Sequence, residues 1–181
     1  MAICKNGHRI SLLIEGYPRV GLQTFTKLLR SGARGICISR LHPDYVTQKF
    51  GLGASKCYWL SGCKGKEVLS PRMLGHIVRA VKSSIRENKQ NVVFFDGLEY
   101  LLLYNDMSKV MTFLEEMDVL LGKLDGEMVV CIDPLTFEQK DLERLWAAYP
   151  KCTPEEMMLT LSNQPLQQSG EGAPASASQT I

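Results

Sequence analysis

The chain has 181 residues, 45% of them hydrophobic, with a formal net charge of +2. That is one domain's worth of core plus a tail, and it excludes a charge-dominated disordered chain. The first residues do not read as a secretory signal and no apolar run approaches membrane-spanning length, so neither a membrane-spanning helix nor a membrane partner is expected.

Arg9 to Ile14 reads as a first strand. It runs into Gly16-Tyr17-Pro18-Arg19-Val20-Gly21 and then a helical apolar pattern at Leu22, Phe25, Leu28 and Leu29. Strand, Gly-x-x-x-x-Gly and helix is the outline of a phosphate loop. A working loop continues with Lys for the phosphates and Ser or Thr for magnesium; here Leu22 and Gln23 stand instead. Pro18 also withdraws one backbone donor. The two readings are a plain strand-to-helix turn and a degenerate nucleotide site, in which Arg19 would replace the missing charge.

Gly35 to Ser39 reads as a second strand, followed by the turn Arg40 to Asp44 and a short helix to Phe50, stopped by Gly51. Lys56 to Leu60 is a third strand and residues 62–66 a loop. Ser70-Pro71 then reads as the N-cap and first residue of a long helix with Met73, Leu74, Ile77, Val78, Val81 and Ile85 on one face. The run Asn91-Val92-Val93-Phe94-Phe95-Asp96-Gly97 is a strand buried on both faces that ends on a carboxylate. That is where open parallel sheets place ligands, and where P-loop hydrolases hold magnesium. One or two helical turns follow from Leu98. Asn105-Asp106 opens a helix to about Lys123, and Met128 to Ile132 is another buried strand ending at Asp133-Pro134. Thr136 with Gln139 reads as a capping box for a helix carrying Leu142, Leu145 and Trp146.

Apolar strands alternating with helices predict an α/β fold of three layers, a mostly parallel sheet flanked by helices. Residues 1–150 are read as that single domain, 151–162 as a short helix or linker, and 163–181, poor in charge and rich in Gln, Ser, Gly, Pro and Ala, as a disordered tail.

Charge is uneven along the chain. Residues 1–90 hold 16 Lys/Arg against four Asp/Glu, and residues 91–181 hold five against 15. Nucleic-acid binding by the basic half is one reading; attraction between the halves, within or between copies, is preferred, because the basic residues are not interleaved with aromatics. Six cysteines without a C-x-x-C pair argue against zinc and for a reducing, cytoplasmic compartment. No metal site is expected, apart from Asp96 should magnesium-nucleotide bind. If the second strand neighbours the one ending at Asp96, then Arg40, His42, Asp44, Asp96 and Asp133 form a polar cleft of both charge signs, or Arg40 and Asp96 simply pair. Ser39, His42 and Asp96 lack the nucleophile-elbow sequence of a hydrolase.

Several stretches carry a resemblance. They are Gly32 to Arg40 with His42-Pro43, Tyr58-Trp59-Leu60, Val92 to Leu102, Asn105, and Ile132-Asp133-Pro134; Asp96-Gly97-Leu98-Glu99-Tyr100-Leu101 is the most specific. On these the chain resembles an archaeal family catalogued as domain of unknown function 835. The resemblance implies an α/β module often joined to signalling domains, with no established activity. More distantly, the element order is similar to RecA- and KaiC-like P-loop ATPases, departing from them at Leu22 and Gln23. The resulting expectation is a non-catalytic regulatory or signalling module that contacts proteins, a partner in trans or another copy, with Met107, Met111, Met157 and Met158 as adaptable surface candidates. No cofactor is expected; an ATPase that uses ATP and magnesium through Gly16, Arg19, Gly21 and Asp96 is the alternative.

Overall fold

The computed structural model describes residues 7–53, 55–85 and 90–157. The expected tail, Cys4, Met158 and residues 86–89, which follow the predicted helix from Ser70, lie outside them. The strands are β1 (Ile10–Ile14), β2 (Arg34–Ser39), β3 (Lys56–Leu60), β4 (Val68–Leu69), β5 (Asn91–Asp96), β6 (Gly126–Ile132) and β7 (Lys151–Cys152). They form one sheet in the order β4-β3-β2-β5-β6-β1-β7, every pair parallel. The α/β architecture predicted from the sequence is therefore the one present.

Side-chain alternation along each strand splits the core in two. Leu13, Cys37, Val92, Phe94 and Val129 face α1 (Arg19–Arg30) and α2 (Pro43–Phe50), which supply Leu22, Phe25, Leu28, Val46 and Phe50. Ile10, Leu12, Ile38, Val93, Phe95 and Val130 face the other layer. That layer holds α3 (Leu74–Ser84), α4 (Leu98–Leu102), α5 (Met107–Lys123) and α6 (Gln139–Ala148). Strands covered on both faces have no polar side to offer, which is why β5 and β6 read as continuous apolar runs.

Several expected boundaries move, each because a tertiary or neighbouring group competes. Ser70 does not cap α3. Its carbonyl accepts the Met73 N–H in a turn, and Asn105 Nδ2 donates to the Pro71 carbonyl at 2.8 Å, so the helix starts only at Leu74. Thr136 does not cap α6. Asp133 Oδ1 accepts the Leu135 N–H at 3.0 Å, which winds Pro134–Thr136 into a single 3-10 turn, and Thr136 Oγ1 donates to the Asp133 carbonyl. A reciprocal capping box occurs instead at Thr153 and Glu156. The short helix or linker expected over 151–162 begins as β7, which pairs with β1 and is too short to leave a sequence signal, and residues 154–157 are then helical. The methionines expected at the surface are largely core: Met107 and Met157 are buried and Met111 is half-buried.

Candidate functional site

In an open sheet, a ligand crevice forms where neighbouring strands send their connections in opposite directions. β2 continues through α2 to β3 on one side, and β5 continues through α4 and α5 to β6 on the other. The crevice therefore lies between the carboxyl ends of β2 and β5, at Ser39-Arg40 and Asp96-Gly97. The β2–β5 register places Ile38 opposite Phe95, so these ends are level.

Asp96 is 2% exposed, and both its oxygens are engaged. Oδ2 accepts from Ser39 Oγ at 2.8 Å and Oδ1 from Arg40 Nη2 at 3.0 Å. The other arm of the guanidinium, Nη1, reaches Glu99 Oε1 at 2.6 Å. A planar fork gives each carboxylate its own rigidly placed N–H arm, which the single nitrogen of a lysine does not. Burial alone would lower the Arg40 pKa, but the two carboxylates outweigh it and hold it above its usual value. Burial also pushes the Glu99 carboxyl above its usual range, against the pull of Arg40. Gly97 completes the arrangement. Its φ is +126°, and a Cβ there would lie 2.9 Å from Arg40 Cγ and 2.9 Å from Leu60 Cδ2, so only glycine leaves room for the arginine stem. The Trp59 indole donates to the Arg40 carbonyl at 3.0 Å and anchors the start of the turn.

The remaining cleft candidates sit to either side. His42 caps α2, its Nδ1 accepting the Asp44 N–H at 3.3 Å, and its ring packs edge-on to Trp59 at 4.8 Å. Asp44 is exposed beside it. Asp133, at the end of β6, caps its own 3-10 turn and lies against Gly16, where an added Cβ would be 3.2 Å from Oδ2. Ser39 faces Asp96 rather than His42, so the three do not make a nucleophile relay. Glu99 was missed by sequence reasoning. Its signal was available: an acid three residues after Asp96, in the first turn of the following helix.

At the β1–α1 turn, the phosphate-loop outline meets a different occupant. Glu15 Oε1 accepts the Val20 N–H at 2.6 Å, and Oε2 accepts the Gly21 N–H at 2.9 Å. These are amides at the start of α1, the groups a phosphate loop would present to an anion. The chain supplies its own carboxylate to them. Gly21 is small for packing: a Cβ would lie 2.8 Å from both Leu13 Cδ2 and Phe94 Cε2. Leu22 is 0% exposed in the core, Gln23 is exposed, and Arg19 is exposed at the first residue of α1. A magnesium-nucleotide does not fit this set of residues. The amide cradle is filled by an acid, the lysine position is core, and Asp96 is already bridged. Among the described residues, no group of three or more His, Cys, Asp or Glu is placed to hold a metal ion.

Glu15→Ala should cost about 1 kcal/mol, the typical worth of a helix cap, read from the urea midpoint. Glu99→Gln should flatten the pH dependence of stability. In the unfolded chain Glu99 ionises near pH 4.3; in the fold it ionises higher. Between those values the native state holds the extra proton, so wild-type stability falls as pH rises through the window and stays lower above it. Urea midpoints measured from about pH 4 to about pH 8 should show that fall in the wild type and not in the variant.

A family model described as "Protein of unknown function (DUF835)" matches residues 17–147. No curated protein matches the chain. Among solved structures, a chain from the structure of Drosophila ORC bound to DNA is similar. It is 16% identical, with 81% of this chain and 79% of that chain covered and a TM-score of 0.37.

Proposed function

The chain belongs to the DUF835 family, and from that premise we propose that it is a non-catalytic regulatory or signalling module. It has a RecA/KaiC-like ancestry, has lost its nucleotide and works in the cytoplasm by contacting other proteins. The observation that carries this reading is the Glu15 carboxylate on the Val20 and Gly21 amides. An anionic phosphate would have to displace a covalently tethered anion from the same donors. The Arg40 bridge to Asp96 and Glu99 supports it from the magnesium side.

The contact surface we assign is the carboxyl edge of the sheet. Seven large apolar side chains are exposed among the described residues: Tyr17, Tyr45, Met73, Leu103, Tyr104, Val119 and Leu135. All but Val119 lie in segments that follow the carboxyl ends of strands. Leu135 is 94% and Leu103 72% exposed. Apolar groups placed in water along one edge suit a protein partner or a second copy better than a small polar ligand. Among the described residues, no helix is long and apolar enough to cross a membrane.

The test is calorimetric titration of the full chain with ATP and magnesium, alongside Asp96→Ala. No binding heat is expected from the folded wild type. Wild-type binding that disappears in Asp96→Ala would overturn the reading and restore the ATPase alternative.

A further inference from the structure

Two cysteines unused by the site above stand side by side. Cys37 on β2 and Cys57 on β3 are register partners in a parallel pair. Register partners point to the same face of a sheet, and both belong to the core layer under α2. Neighbouring strands lie about 4.8 Å apart, inside the range of about 4.4–6.8 Å between the Cα atoms of disulfide-bonded cysteines. The register and the common face are therefore compatible with a cross-strand disulfide.

We propose that Cys37 and Cys57 form an oxidisable dithiol that reacts with hydroperoxides and closes to a cross-strand disulfide between β2 and β3. Cys57 is the attacking sulfur. It is 9% exposed, whereas Cys37 is 1% exposed. Ser55 Oγ lies 3.3 Å from its sulfur, and Cys37 and Thr47 also offer it hydrogen bonds. These donors favour the thiolate. The Cys37 hydrogen bond, opposed by burial and helped by Ser55 and Thr47, lowers the Cys57 pKa to about 6. Two charged groups act on it with opposite signs: Glu67 opposes ionisation, and Lys56, whose own charge the Cys57 thiolate favours, supports it. Cys37 moves the other way, its pKa raised by the same hydrogen bond, by burial and by Asp96. One sulfur is thus the nucleophile and its neighbour keeps its proton until the second step. Cys131 has no such setting: burial and the surrounding carboxylates push its thiol well up, and its sulfur donates to the Glu15 carbonyl.

With hydrogen peroxide the steps balance. The Cys57 thiolate attacks one peroxide oxygen and the O–O bond breaks. Cys57 becomes a sulfenic acid, and the departing hydroxide takes a proton to form water. The Cys37 sulfur then attacks the Cys57 sulfur; the S–S bond forms, the S–O bond breaks, and the oxygen leaves as a second water with the Cys37 proton. The two thiols lose two electrons and the peroxide gains them.

The experiment treats the full chain with hydrogen peroxide, alkylates remaining thiols after denaturation, and maps the unreduced digest by mass spectrometry. The exposed Cys63 is the internal control. The expected result is a peptide joining Cys37 to Cys57, formed equally in Cys63→Ser and restored to two free thiols by reductant. In Cys37→Ser, Cys57 should be trapped as sulfenic acid by dimedone. The rate of linkage should rise through about pH 6 and be flat by about pH 7, while an ordinary thiol of pKa near 8.5 would keep accelerating above that. Recovery of Cys37 and Cys57 as free thiols under conditions that oxidise Cys63, or of Cys57 joined only to Cys63, would overturn the proposal. The wild-type map decides this whether or not the serine variants fold.

Discussion

Arg40→Ala should lower stability by about 3 kcal/mol, at the low end of what removing one partner of a buried ion pair costs. The low end applies because Arg40 is 36% exposed at its side chain, while Asp96 is 2% exposed. Truncating the arginine leaves Asp96 buried with the Ser39 hydroxyl, and Glu99 loses the ion pair that Arg40 gives it. The cost comes from the carboxylates left behind rather than from the arginine, and this gives the prediction its internal check. Arg40→Met combined with Asp96→Asn removes both charges of the pair and should recover a large part of the loss. Arg40→Lys should fall between, because a single nitrogen does not give each acid its own rigidly placed arm as the fork does. Lys140→Ala, which breaks the exposed pair with Glu138, should leave the urea midpoint unchanged. An unchanged m-value across the set would attribute the shifts to native stability. A midpoint for Arg40→Ala equal to that of Lys140→Ala would show that the bridge contributes nothing.

Leu22→Lys should be more damaging still, at about 4 kcal/mol or more. This substitution would restore the lysine of a phosphate loop on paper. In the fold, Leu22 is 0% exposed among Leu13, Phe25 and Phe94. A lysine there must bury an unpaired ammonium or lose its proton, and the amides it would serve in a phosphate loop are already held by the Glu15 carboxylate. Gln23→Thr, at an exposed position of α1, should be close to neutral. The contrast separates two histories of the loop. A site that had merely mislaid its lysine would tolerate it again at position 22. A turn rebuilt around Glu15 and a core leucine rejects it. The check is the thermal midpoint of the two variants beside the wild type.

The sequence made the sheet legible because strands buried on both faces must be apolar throughout. Phe94-Phe95 and Val129-Val130 announce β5 and β6 without any tertiary information. Gly51, in the left-handed region at φ +71°, and Asp106, capping through Lys109 N–H, ended and began helices as read. The failures share one cause: a polar group with two possible partners. Ser70 and Thr136 are good caps locally, but Asn105 and Asp133 respectively hold the backbone in turns first. At the site, the pairing of Arg40 with Asp96 was foreseeable from strand-end charges. Glu99 and Glu15 were not foreseen, because their roles depend on which amides and which guanidinium arm they meet. The Gly16/Gly21 spacing was legible as a turn and silent about its occupant; the acid immediately before Gly16 was the cue. The alignment of Cys37 with Cys57 is a matter of register, which spacing along the chain does not disclose.

In this fold the Glu15 carboxylate, not an external anion, holds the Val20 and Gly21 amides at the start of α1. The measurement that tests it most directly is the amide spectrum of the uniformly nitrogen-15-labelled full chain, followed during addition of ATP and magnesium. The Val20 and Gly21 resonances should stay where they are, and move instead in Glu15→Ala without any nucleotide. Saturable shifts of those two amides, together with Asp96, on adding magnesium-ATP to the wild type would contradict the account.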